Sequence, residues 1–169
     1  MNFEEINPKD LTENAIKLIC LDWMLITSGQ KDKYNMMTAS WGGLGMLWHK
    51  PVCFIVVRPS RYTYDFLEKN DNFSLTFFTK DYRDILNFCG TKSGRDVNKM
   101  TEVNLTPLEQ QSTVYFKEAD TVLICKKLYS HDFNPDALPD FVKEKVYKSG
   151  NYHRLYIGEI LTCYKRKEK

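Results

Sequence analysis

Phe73-Ser74-Leu75-Thr76-Phe77-Phe78 is the stretch that decides between sheet and helix. Aromatic and β-branched residues in such a run suit a pleated, half-buried strand. The chain of 169 residues carries 10 Tyr, 10 Phe and 3 Trp, many of them in runs of this kind, so a sheet is expected rather than a helical bundle. Upstream, Val52-Cys53-Phe54-Ile55-Val56-Val57 is continuously apolar and suits a strand buried on both faces. Between the two runs, residues 61–69 read as a helix, with Ser60 as N-cap and Tyr62, Phe66 and Leu67 on its apolar side. Downstream, Asp81 is expected to cap a helix through Phe88 that Cys89-Gly90 stops.

Farther out, residues 12–21 read as a helix capped by Asp10 or Thr12. A strand over 23–27 should end at Ser28-Gly29, with 28–33 as a hairpin-like connection to a second strand over 34–40. Gly42-Gly43-Leu44-Gly45 reads as a loop that lets backbone approach something closely, because three glycines are costly to order. A short helix is expected over 96–101, and strands near 113–117, 120–129 and 154–164. Asn134-Pro135 opens a polar insertion with a helix over 136–147, and Lys165–Lys169 reads as a solvated tail. Strands outnumber helices, which predicts a mainly β, antiparallel β-barrel with peripheral helices and a single domain over 1–169. Barrel closure also removes exposed sheet edges.

Composition narrows the function classes. A net charge of +2 excludes nucleic-acid binding by bulk charge. The five cysteines (Cys20, Cys53, Cys89, Cys125, Cys163) include no Cys-x-x-Cys pair and are odd in number. Neither a zinc or iron–sulfur site nor a disulfide framework is expected, and reduced thiols in a cytoplasm are. The acidic start Met1-Asn2-Phe3-Glu4-Glu5 is unlike a signal peptide, and no stretch approaches a membrane span. His49, His131 and His153 sit in unrelated contexts, so no metal site emerges. No Ser-His-Asp or paired-carboxylate arrangement can be read from the spacing.

Two segments carry the chemistry. Arg58-Pro59-Ser60-Arg61-Tyr62-Thr63 places two arginines and two hydroxyls where a strand turns into a helix. A helix N-terminus with added guanidinium groups suits a phosphate; a capped surface helix with solvated arginines is the alternative. Tyr34-Asn35-Met36-Met37-Thr38-Ala39-Ser40-Trp41-Gly42-Gly43 offers an amide, hydroxyls, small residues and an indole. Asn35 can donate and accept, Thr38 and Ser40 share one strand face while Ala39 points away, and Trp41 could stack on a ring. An ordinary strand with Trp41 in the core is the alternative. Together the segments suit a flat ring with an anion at one end, the shape and charge of flavin mononucleotide (FMN). Ser93-Gly94-Arg95-Asp96 with Lys99 adds a second cationic group or is a capped surface turn, and His153 enters the last strand at a barrel mouth or is structural.

Taken in order, these pieces resemble the flavin reductase-like family of FMN-binding split β-barrels, especially its flavoredoxin-like branch. The matching text is residues 23–27, 35–42, 57–63, 89–99 and 152–160, spanning roughly 20 to 160. The resemblance implies a Greek-key antiparallel split barrel and a homodimer with FMN held non-covalently near the subunit interface. By matching position, Asn35 and Trp41 line the isoalloxazine site, and Met37, Thr38, Ala39 and Ser40 touch ring and ribityl chain. Arg58, Ser60, Arg61 and Thr63 lie at the phosphate end with Lys99 as a further contact. Tyr62, Ser93 and Arg95 count with the cofactor-binding set. His153 matches a histidine beside flavin and nicotinamide. The implied activity is hydride transfer from NADH or NADPH to flavin. Rival readings are a flavoredoxin-like carrier reduced by a partner protein, a flavin-binding module without turnover, and a barrel for another phosphate-bearing ligand. Neither nucleic acid nor membrane is an expected partner. In some family members a longer C-terminal tail adds an aromatic to the flavin site, whereas here sixteen residues follow His153. Residues 130–150 either occupy or form the space over the flavin.

Overall fold

The computed structural model describes residues 3–167. The elements in order are β1 (Phe3–Ile6), α1 (Ala15–Lys17), β2 (Met24–Gln30), β3 (Lys33–Ala39), β4 (Gly42–Leu47), β5 (Lys50–Val57), α2 (Tyr62–Lys69), β6 (Asn72–Phe77), α3 (Arg83–Thr91), α4 (Lys99–Glu102), β7 (Pro107–Gln110), β8 (Thr113–Phe116), β9 (Thr121–Asp132), α5 (Asp140–Val146) and β10 (Arg154–Arg166). The main sheet runs β3-β2-β6-β9-β10-β5-β4, with β1 added alongside β10, and every pairing is antiparallel. Its two ends, β3 and β4, are consecutive in the chain and joined by Ser40-Trp41 alone, yet no ladder links them. The sheet therefore curls far enough to bring the end of β3 to the start of β4, and it stays split where the two strands diverge from that crossing.

Both faces of the sheet are packed. One cluster fills the inside of the curl with Met24, Ile26, Met37, Ile55, Val57, Leu67, Phe73, Leu75, Leu123 and Tyr156. The other lies under α3 and the β7–β8 hairpin and contains Leu25, Met36, Leu86, Cys89, Phe116, Val122 and Ile124. Neighbouring residues of β2 and of β9 thus serve opposite cores, as the two-residue period of a strand requires. The 73–78 run is buried throughout. From Val52 to Val57, β5 is buried on both faces except at Phe54, which is 44% exposed.

Several local expectations are corrected. The Gly42–Gly45 stretch is strand, because Gly43 pairs with Phe54 in the ladder and the Phe54 ring occupies the space a Cβ would need. An aromatic ring laid over a strand glycine restores the packing the glycine lacks. Close approach holds at Gly42 and Gly43, where the visitor is the neighbouring strand, while Gly45 faces open space. β2 continues through Ser28 and Gly29, so the connection to β3 shrinks to Lys31-Asp32. Asn14 rather than Asp10 or Thr12 accepts from the start of α1, and Leu18–Asp22 continues as a wider π turn. Ser60 does not cap α2, Asp81 lies in a 3-10 turn ahead of α3, and α3 runs through Cys89-Gly90 to Thr91. The 96–101 helix begins at Lys99, and the 136–147 helix shortens to α5 behind a separate turn at Pro135–Ala137. β1 and β7 are strands additional to those the residue pattern predicts. Lys165 and Arg166 belong to β10, where pairing with β1 recruits them; Lys165 binds Asp120 at 2.8 Å and also Glu13. Glu168 and Lys169 lie outside the described residues.

On β10 the fold depends on a missing side chain. A Cβ on Gly158 of β10 would sit 2.7 Å from the Phe73 ring and 3.2 Å from the Cys125 Cβ, whereas one on Gly45 meets nothing within 4 Å. Gly158→Ala is expected to cost about 1–3 kcal/mol through overpacking, with Gly45→Ala close to neutral, as read from urea unfolding midpoints.

Candidate functional site

The seam between β3 and β4 opens as a cleft of about 170 Å³ lined by Met37, Thr38, Ala39, Ser40, Trp41, Val56, Arg58, Arg61 and His153. A second recess of about 190 Å³ shares Thr38, Ala39 and Ser40 and is closed by Trp23, Leu86, Asn87, Gly90 and Thr91 on the α3 side. Each is smaller than the roughly 300 Å³ of the smallest drug-sized sites. The end of β3 is therefore a ridge of small residues with a hollow on either side. Thr38 is fixed on it by donating its hydroxyl to the Leu86 carbonyl at 2.6 Å. Trp41, at the crossing itself, is 51% exposed.

Positive charge gathers behind the ridge. Arg58 donates to the Val146 carbonyl at 3.1 Å, and Arg61 to the Gly90 carbonyl at 3.0 Å. Lys99 is 3% exposed and donates to the carbonyls of Met36 at 2.9 Å and Cys89 at 2.7 Å. Burial pushes its pKa down to about 8, a shift that Cys89 opposes and Arg61 adds to. Burial lowers the pKa of Arg61 as well. Among the described residues the ion-paired carboxylates serve other cations, such as Asp65 with Arg95 and Glu68 and Asp132 with Arg154. Arg58, Arg61 and Lys99 are left with neutral carbonyl partners. Desolvated cations without a counter-charge make a site that favours an anion.

His153 lines the same cleft beside Arg58, 8% exposed, with its ring 5.3 Å from that of Trp41. Burial, then the Arg58 charge, pushes its pKa down to about 4, so it is a neutral imidazole at neutral pH. Its Nδ1 lies 2.6 Å from the hydroxyl of Tyr147, and the Arg58 guanidinium lies 5.3 Å over the Tyr147 ring. The segment after α5 therefore packs against both the cationic end and the imidazole. Tyr147 and Val56 are lining or supporting residues that local sequence did not reveal, and only the tertiary contact singles them out.

Other expected site residues lie outside this cleft. Asn35 is 4% exposed; with its amide oriented towards its donors, Oδ1 accepts from Thr63 N–H at 3.2 Å and the Thr63 hydroxyl at 2.8 Å. Thr63 is buried in the same contact, which ties β3 to the first turn of α2. Asn35, Tyr62, Arg95 and Lys99 line a neighbouring hollow of about 310 Å³. There Arg95 lies 4.9 Å over the Tyr62 ring, binds Asp65 at 2.8 Å, and its backbone N–H donates to Ser93 Oγ at 3.1 Å. The Ser60 hydroxyl accepts from Asn151 Nδ2 at 2.8 Å. The cleft thus brings together Met37, Thr38, Ala39, Ser40, Trp41, Arg58, Arg61 and His153. It does not include Asn35, Ser60, Tyr62, Thr63, Ser93, Arg95 or Lys99. Among the described residues no group of His, Cys, Asp and Glu side chains could hold a metal ion, and the five cysteines are free.

Comparison with known proteins gives this geometry a context. The family model of the flavin reductase like domain matches residues 18–169. No curated protein matches the chain. Among solved structures, flavoredoxin from Methanosarcina acetivorans is 21% identical with a TM-score of 0.70, over 96% of this chain and 74% of that one. An FMN-binding protein from Thermus thermophilus with bound p-hydroxybenzaldehyde is 19% identical with a TM-score of 0.67, over 85% and 70%. The styrene monooxygenase flavin reductase from Pseudomonas putida S12 is 10% identical with a TM-score of 0.64, over 86% and 80%. The architecture is that of the split barrel these proteins share.

The depressed His153 pKa carries a stability consequence. Between the ordinary value of 6.5 and the folded value of about 4, only the unfolded chain takes up the proton. Stability is then full above pH 6.5 and falls as pH drops through this window, by roughly 2–4 kcal/mol. Chemical denaturation from pH 7 to pH 4 should show this slope, and His153→Gln should flatten it.

Proposed function

The chain belongs to the flavin reductase like domain family, an FMN-binding oxidoreductase family, and from that premise we propose that the cleft at the sheet's seam holds FMN and serves flavin reduction by NADH or NADPH. One observation carries the assignment. Arg58 and Arg61, with Lys99 behind them, have only carbonyl partners and stand beside an open ridge of small residues walled by Trp41. The residues present fit the group: guanidinium groups for a phosphate, a flat approach over Ala39 and Ser40, and an indole at the edge. When bound, FMN supplies the hydride-accepting and electron-passing chemistry.

The chain's own residues bind and orient. Arg58 and Arg61 neutralise the phosphate, and Lys99 adds positive potential from beneath. Asn35 and Thr63 hold β3 against α2 so that the two halves of the site keep their spacing. His153 stays neutral and positions the nicotinamide without carrying charge. The cleft is shallow and Trp41 half exposed, which supports completion of the site by a second copy in a homodimer. Free cysteines support a reducing, cytoplasmic setting, and no described helix is long and apolar enough to cross a membrane.

A second reading has its own observation. Tyr147, from the segment after α5, packs against both Arg58 and His153, the side chains a nicotinamide would have to pass. That favours an electron carrier in which a partner protein replaces NAD(P)H. The purified protein should be yellow and release FMN on denaturation; a colourless protein that cannot be loaded would sink the flavin reading. Arg58→Ala and Arg61→Ala should each weaken FMN about 10- to 100-fold while leaving riboflavin nearly unaffected, by fluorescence titration. Equal losses for both ligands would contradict the phosphate assignment. NADH or NADPH oxidation with FMN then separates reductase from carrier, and His153→Ala should slow flavin reduction with FMN still bound.

A further inference from the structure

We infer that Tyr147 is a positioning residue that holds His153 in a single tautomer, with the ring proton on Nε2 and available to the cleft. The functional consequence rests on the cleft being a flavin site, but the geometry does not. Both residues are buried, at 4% and 8% exposure. The phenol oxygen lies 2.6 Å from Nδ1, with the rings edge-on at 5.6 Å and 74°. Such a pair can be joined by O–H donating to Nδ1 or by Nδ1–H donating to the phenol oxygen. A phenol is a far stronger acid than a neutral imidazole N–H, and the imidazole nitrogen is the better base, so the phenol donates. The Arg58 guanidinium above the Tyr147 ring, at 5.3 Å, stabilises the electron density that builds on the oxygen as it donates.

With Nδ1 accepting, a neutral ring must carry its proton on Nε2. Nε2 has no protein partner among the described residues, and His153 lines the cleft. The charged and titratable groups facing His153 are Tyr147 from the segment after α5 and Arg58 from the β5–α2 connection. Trp41 and Phe133 complete its surroundings without charge. The cleft therefore offers a neutral N–H donor beside cations, and it selects a ligand group with an acceptor oxygen, such as a carboxamide or ring carbonyl, over one that donates. The segment holding Tyr147 is itself fastened, through the Val146 carbonyl to Arg58 and through Asn151 to Ser60.

Nitrogen-15 NMR of the labelled full chain at neutral pH tests this, with His153→Gln used only to assign the signals. The expected result is a His153 ring with a one-bond proton on Nε2, a bare Nδ1, and a slowly exchanging Tyr147 hydroxyl proton correlated to that Nδ1. Tyr147→Phe should lose the hydroxyl signal and let the Nδ1–H tautomer appear. A one-bond proton on Nδ1 in the unmodified chain would overturn the inference, as would unchanged tautomer populations in Tyr147→Phe. The unmodified chain gives its answer even if the variant is too unstable to study. The spectra need no flavin: a chain with the expected tautomer that never binds FMN sinks the flavin reading alone, and a flavin-loaded chain with the proton on Nδ1 sinks this inference alone.

Discussion

The structure depends on a closure constraint: the two edge strands of the main sheet, β3 and β4, are consecutive in the chain and joined by Ser40-Trp41. So short a link forces the far ends of a seven-strand path to meet. The curl that results buries the inner cluster, while β3 and β4 diverge from their crossing without pairing. At this crossing the chain passes from one edge of the sheet to the other without a ladder. Small residues sit there, and they leave the ridge and hollows of the cleft.

Around this seam the charges are arranged at a cost. Three cations stand partly or wholly out of water with neutral partners, and burial depresses the pKa of Lys99 and Arg61. A fold optimised for stability alone would place carboxylates beside them, as it does for Arg95, Arg154 and Lys165 on the surface. An anionic ligand offsets the desolvation, so binding and stability are linked at this end of the cleft. At the neighbouring imidazole the opposite choice is made. His153 is kept neutral by burial and by Arg58, which leaves the imidazole as a hydrogen-bonding group rather than a charge.

Much of this was legible in the residues. The 73–78 run marks sheet, and β-type aromatic runs predict a mainly β protein. The 57–63 and 35–43 segments do converge: Met37 to Trp41, Arg58 and Arg61 share one cleft with His153, more than ninety residues away in sequence. Local chemistry carried that far because side-chain type and strand position are properties of short stretches. Asn35 and Thr63 were legible as polar partners, but what they bind is not a local property. They face each other because β3 and α2 pack, and their amide and hydroxyl are consumed in that contact. The glycine run misled for a related reason: glycine's own preference is weak, and a ring from β5 supplied the packing that made it strand. β1 and the end of β10 each look polar and unremarkable alone, and they become strands only by pairing with one another.

By itself the sequence determined the strand-rich class, the strand-to-helix junction with its arginines, the small-residue stretch before Trp41, and the absence of disulfide or metal spacing. These follow from periodicity, propensity and residue chemistry, which act over a few residues. Tertiary structure alone decided that the sheet splits between β3 and β4, that the cations face carbonyls instead of carboxylates, and that Tyr147 reaches back to His153. Those features depend on which distant segments are brought within a few ångströms, and that is set by closing the sheet and filling its two cores together.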